Sequence, residues 1–189
     1  MKIGLYFGSF NPIHTGHLII ASHVLNETNL QQLWLVVSPQ NPFKQEHSLL
    51  SEYHRLHLAT LAVEKDERLR ASDIEFKLPK PSYTIDTMVY LKEKYPQHEF
   101  TIILGSDSFQ NIHKWKNASI LMSEYSFVIY NRPGFIAEIP EGAKAVILDA
   151  PMLSISATHI RNNIKEGKSI QYLVPEKVRE YIEANHYYK

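Results

Sequence analysis

Apolar residues in this chain gather into short blocks, and polar residues fill the intervals between them. Residues 2–7 (KIGLYF), 33–37 (LWLVV), 100–104 (FTIIL) and 127–130 (FVIY) are near-continuous apolar runs of strand length, the pattern of strands buried on both faces. Residues 70–76 and 145–148 predict two weaker strands. Between the runs the spacing changes to that of helices. Leu18, Ile19, Ala21 and Leu25 predict a helix over 15–25 with Thr15 as N-cap, and Tyr53, Leu56, Ala59 and Val63 predict one over 51–63 capped by Ser51. Ile85, Met88, Val89 and Leu91 mark a helix over 84–95, stopped by Pro96. Helical material follows at 112–124, and helices at 156–166, ending before Gly167, and 176–183 close the series. The proline-punctuated stretch 38–48 (SPQNPFKQEHS) reads as an exposed loop.

Strand and helix alternate throughout. The order predicts an α/β fold, Rossmann-like and doubly wound, with a mainly parallel sheet, helices on both faces and one domain over residues 1–189. Ligands of such sheets bind beyond the C-terminal strand ends, where the first strand hands over to its helix.

Composition narrows the chemistry. Twenty Lys and Arg balance twenty Asp and Glu, whereas proteins that live on nucleic-acid backbone carry a basic excess. The expected partner is a small anion in a local pocket, with no nucleic acid and no membrane. No run approaches a membrane span, no signal-peptide pattern opens the chain, and a cytoplasmic location is expected. The absence of cysteine excludes disulfides, thiolate metal sites and a cysteine nucleophile. G-x-S-x-G, H-E-x-x-H and P-loop patterns are also missing. His54 and His57, spaced like a metal pair, are expected on a solvated helix face.

The candidate chemistry sits at the first handover, FGSFNPIHTGH at 7–17. Three readings of it compete. Gly8 could serve a tight turn with two ordinary histidines nearby. His14 and His17, three apart, could ligate zinc, although no carboxylate stands close to complete the set. Or Gly8 and Ser9 could let backbone N–H groups approach a phosphate before a helix N-terminus, with both imidazoles donating to it.

A resemblance favours the third. GSFNPIHTGH resembles the G-x-F-x-P-x-H-x-G-H signature of the nucleotidyltransferase superfamily, and ISATHIR at 155–161 resembles its I-S-x-T-x-I-R signature. The resemblance implies that Gly8, Ser9, Phe10, His14, His17, Ser156, Thr158 and Arg161 face the phosphates of ATP. PSYTIDT (81–87), LGSDSF (104–109), HKW (113–115) and NRPG (131–134) are similar to stretches of bacterial nicotinate-nucleotide adenylyltransferases, and the similarity covers essentially the whole chain. It implies a pocket for nicotinate mononucleotide built from Tyr83, Thr84, Asp107, Trp115, Lys116 and Arg132, with Trp115 stacking on the pyridine ring.

The chain departs from that family in the loop after the second strand, where Asn41-Pro42-Phe43-Lys44 replaces the common PPHK, and at Lys116, where tyrosine is common. Lys44 remains as a phosphate cation. The implied reaction is in-line attack by the mononucleotide phosphate on the α-phosphorus of ATP, with Mg²⁺ accompanying ATP. His14, His17 and Lys44 are the implied catalytic residues, and no metal site of the protein's own is expected. Nicotinamide mononucleotide or phosphopantetheine as acceptor, or a non-catalytic nucleotide-binding regulator, are the alternatives that the residues leave open.

Overall fold

The computed structural model describes residues 1–40, 49–151 and 153–189. Six strands, β1 (Lys2–Gly8), β2 (Gln32–Val37), β3 (Leu69–Ser72), β4 (Glu99–Gly105), β5 (Ser126–Tyr130) and β6 (Lys144–Leu148), form one sheet in the order β3-β2-β1-β4-β5-β6. All five pairings are parallel. Each apolar run of the sequence is a strand, as the pattern predicts.

Alternation along the strands divides the core in two. Tyr6, Leu33, Leu35, Val37, Ile103, Val128 and Tyr130 point to one face. Packed there are α1 (Thr15–Glu27), α2 (Glu52–Val63), α6 (Ala157–Lys165) and α7 (Glu176–Ala184). Ile3, Leu5, Trp34, Val36, Ile102, Leu104, Phe127 and Ile129 point to the other face. It is covered by α3 (Thr84–Lys94) and by the region holding α4 (Ser106–Phe109) and α5 (Ala118–Glu124). Ile85, Met88 and Leu91 of α3 lie between 0% and 4% exposed, and each such side chain contributes roughly 1.5–3 kcal/mol relative to remaining in water. The sheet is therefore doubly wound.

Five local expectations need correction. His14, not Thr15, is the N-cap of α1; the Thr15 hydroxyl instead donates to the Tyr172 carbonyl at 3.0 Å. The strand expected over 70–76 stops at Ser72, whose Oγ accepts the Ile74 N–H and turns the chain into a 3₁₀ turn, Ile74–Lys77. Residues 112–124 form a 3₁₀ turn (Ile112–Lys114) and the separate helix α5, because Asn117 takes the left-handed conformation (φ 52°) between them. On α2, Tyr53 is exposed and Arg55 buried, so the helix is rotated from its apolar spacing; on α3, Val89 faces solvent.

Candidate active site

The neighbouring strands β1 and β4 carry the chain away in opposite directions, and the crevice beyond their C-terminal ends lies at this switch of strand order. The turn after β1 forms one of its walls. Phe10 takes a left-handed conformation (φ 46°) and folds its ring back over Gly8, where a Cβ would come within 2.8 Å of the ring. The glycine thus admits an aromatic plug, and Phe10, 2% exposed, serves packing with its side chain. The plug meets His17 edge-on, with 5.0 Å between ring centroids. Gly16 matters in the same way: a Cβ there would press on the His14 ring at 3.1 Å.

His14 and His17 stack, centroids 3.6 Å apart and planes 24° from parallel. Nδ1 of His17 accepts the His14 backbone N–H at 3.2 Å. The ring proton of neutral His17 therefore sits on Nε2. His14 is 6% exposed; its burial, reinforced by the charge of Arg132, lowers its pKa to about 4. At neutral pH His14 is an uncharged N–H donor.

Arg132 leaves the end of β5 and reaches the same crevice. Its Nη1 donates to Asp107 Oδ2 (3.1 Å), its Nη2 to Tyr130 Oη (3.4 Å), and its backbone N–H to Ser106 Oγ (2.9 Å). Tyr130 in turn meets Tyr6 of β1, oxygen to oxygen at 3.2 Å. Asp107, expected to reach a nucleotide, is instead engaged by this guanidinium. Gly105 makes the pair possible, since a Cβ there would fall 2.5 Å from Asp107 Oδ1. Among the described residues, Nδ1 of His14 and Nε of Arg132 are buried with no hydrogen-bond partner, an arrangement that costs about 1–3 kcal/mol per group. A ligand oxygen offered to these groups would recover part of that cost.

The distal motif closes the turn from the other side. Ser156 caps α6 by accepting the His159 N–H at 3.1 Å. Arg161, 8% exposed, donates to the Asn11 carbonyl (2.7 Å) and to Thr158 Oγ1 (3.2 Å). Its guanidinium thereby ties α6 to the histidine turn across 150 residues of sequence. Ser156 and Thr158 are exposed at the helix start. Lys44 lies outside the described residues.

A second recess adjoins the crevice, a cavity of about 130 Å³ lined by Phe7, Gly8, Tyr83, Thr84, Trp115 and Lys116 among others. The structure thus joins four of the six residues expected around the acceptor. Trp115 is half-buried, its ring packed on the core beneath α3. Lys116 is bound to both carboxylate oxygens of Asp86 (2.8 and 3.0 Å) and lies over the Tyr83 ring at 5.0 Å.

Two residues at the site escaped the sequence reading. Arg55, fully buried, donates to the carbonyls of Ser9 (2.6 Å), Ser38 (2.8 Å), Pro39 (3.0 Å) and Leu50 (2.8 Å). Glu75, 2% exposed, lines the recess; burial raises its carboxyl above the usual range, while hydroxyl donors oppose the shift. The local sequence carries no signal for Arg55, because its carbonyl partners come from other segments. His54 and His57 lie on an exposed face, as expected, and contact Tyr187 and Tyr181 of the C-terminal region.

The model of the cytidylyltransferase-like family matches residues 5–163. A Flavobacterium johnsoniae protein named "Probable nicotinate-nucleotide adenylyltransferase" is 49% identical over 195 residues, covering all of both chains. The chain belongs to the cytidylyltransferase-like family, in its nicotinate-nucleotide adenylyltransferase branch. A Cytophaga hutchinsonii relative of the same name is 50% identical over 189 residues, spanning all of this chain and 98% of its own. A solved Plasmodium falciparum nicotinic acid mononucleotide adenylyltransferase, complexed with NaAD, superposes with a TM-score of 0.83 at 24% identity, over 99% of this chain and 97% of that one. That likeness is one of fold. Among the described residues of this adenylyltransferase, no helix is long and apolar enough to cross a membrane.

Proposed function

We propose that the chain transfers the adenylyl group of ATP to nicotinate mononucleotide, releasing pyrophosphate and nicotinate adenine dinucleotide on the route to NAD. The observation that carries this reading is a juxtaposition: the stacked His14–His17 pair with Arg132 in one crevice, opening beside the Tyr83–Thr84–Trp115 recess. A donor and an acceptor site so placed suit two nucleotides meeting end to end.

The acceptor phosphate is largely dianionic at neutral pH, its second pKa being about 6, so it attacks without a general base. Its oxygen bonds to the α-phosphorus of ATP as the bond to the β-phosphate oxygen breaks. The enzyme's work is positioning and stabilisation of charge on the α-phosphate and the leaving group. His17 donates from Nε2, a direction fixed by the backbone bond at Nδ1. His14 donates as a neutral ring, and the positive charge comes from Arg132, with Lys44 on the β- and γ-phosphates. In this reading Arg161 acts chiefly by holding the start of α6, where Ser156 and Thr158 face the phosphates. Gly8, Ser9 and Phe10 contribute the backbone of the turn.

Mg²⁺ enters as part of the MgATP substrate. Phosphate oxygens are its expected ligands. We further read the 189 residues as one domain acting in the cytoplasm, where ATP is supplied. Incubation with MgATP and nicotinate mononucleotide should yield the dinucleotide and one pyrophosphate per product, read by mass spectrometry; no dinucleotide at any enzyme concentration would refute the proposal.

A further inference from the structure

Glu75 is a carboxylate at the wall of the acceptor recess to which the proposed chemistry gives no part. It sits in the 3₁₀ turn after β3, 2% exposed. Oε2 accepts the Ser82 hydroxyl at 2.7 Å and Oε1 the Thr87 hydroxyl at 2.9 Å. Ser82 and Thr87 are themselves buried and bracket the first turn of α3. Ser38, just past β2, lines the same recess. Tyr83, the N-cap of α3, offers no side-chain cap of its own. The start of this helix is therefore held from outside, by a carboxylate that accepts hydroxyl hydrogen bonds on both sides of the turn.

We infer that Glu75 is a positioning residue of the acceptor pocket: through Ser82 and Thr87 it fixes the start of α3, and with it the Tyr83–Thr84 wall, against the turn that follows β3. The inference rests on the acceptor reading given above. Its physical basis is that a buried carboxylate accepting two hydroxyls has a determined geometry, and bonds to a charged acceptor are about twice as strong as neutral ones. The partners of Glu75 are hydroxyls and not the backbone amides of the turn. Those amides point the way the helix dipole favours for an anion. A loosened turn would blur the distinction between the carboxylate of nicotinate and the amide of nicotinamide, because that distinction depends on where N–H donors sit.

The test begins with wild-type enzyme and nicotinate mononucleotide, where failure to form product refutes the acceptor reading itself. Given wild-type activity, Glu75→Gln keeps the shape but turns one acceptor oxygen into a donor. Its KM for nicotinate mononucleotide should rise about 10-fold while its KM for ATP stays within about 2-fold. The kcat/KM preference for nicotinate over nicotinamide mononucleotide should fall with it. Thr87→Val, a smaller change that leaves the carboxylate in place, should shift the acceptor KM the same way by about 3-fold and serves if Glu75→Gln does not fold. An unchanged or lowered acceptor KM would overturn the inference. So would equal rises in both KM values accompanied by a fall in Tm, the mark of general structural damage.

Discussion

At the scale of single residues, the two imidazoles of the first turn differ in kind although they stack at 3.6 Å. His17 has its proton placed on Nε2 by a backbone bond, and His14 is held neutral by burial and by Arg132. Two stacked cations would repel, so this division of labour is electrostatically sound. The His17→Ala enzyme should lose about 10²–10³ in kcat with KM for both substrates little changed, as when one preorganised donor to a developing oxyanion is removed. Steady-state kinetics measures this directly, and near-normal turnover would remove His17 from the chemistry.

His14 also makes a thermodynamic prediction. Its folded pKa of about 4 lies below the ordinary value of about 6.5, so between those pH values the unfolded chain binds the extra proton. The contribution is present in full above about pH 7 and lost as pH falls from about 6.5 towards 4, about 3 kcal/mol in total. Urea unfolding at pH 7.5 and pH 5 should show a steeper loss for wild type than for His14→Asn. Parallel losses in the two proteins would contradict a buried neutral His14.

At the scale of elements, Arg55 decides how α2 lies. Its spacing makes Tyr53 look like a core position, yet Tyr53 is 68% exposed and Arg55 is 0% exposed. The reason is not in α2 itself. Four carbonyls from three separate segments, after β1, after β2 and before α2, converge on the guanidinium, and a local pattern cannot reveal partners that the fold supplies. Replacing Arg55 by Met should destabilise the protein by about 3 kcal/mol or more, since buried carbonyls lose charged donors together. Arg55→Lys, which cannot reproduce the planar fork, should recover only part. The fall in denaturation midpoint reads this out.

The same logic separates what was legible in the chain from what was not. Strands β1, β2, β4 and β5 are continuous apolar runs, and the H-x-G-H turn has a fixed spacing, so both could be read locally. Glu75 falls in a segment that reads as strand; only its pairing with Ser82 and Thr87 explains why the chain turns a carboxylate inward. Arg161 was legible as a motif residue, but its inward bond to the Asn11 carbonyl was not, because that bond depends on α6 packing beside the first turn.

At the scale of the whole molecule, the position of the site follows from strand order. With β1 between β2 and β4, the first turn of the chain, the start of α3, the segment after β4 and the residue after β5 all converge at one edge of the sheet. The turn that carries His14 and His17 starts at Gly8, which itself lines the recess of Thr84 and Trp115. On the proposed function, this edge joins ATP to a pyridine mononucleotide carrying a carboxylate. Initial rates of pyrophosphate release with MgATP and, in turn, nicotinate mononucleotide, nicotinamide mononucleotide and phosphopantetheine test it most directly. The highest kcat/KM is expected with nicotinate mononucleotide; dominant activity with phosphopantetheine, or none with either pyridine mononucleotide, would contradict that role.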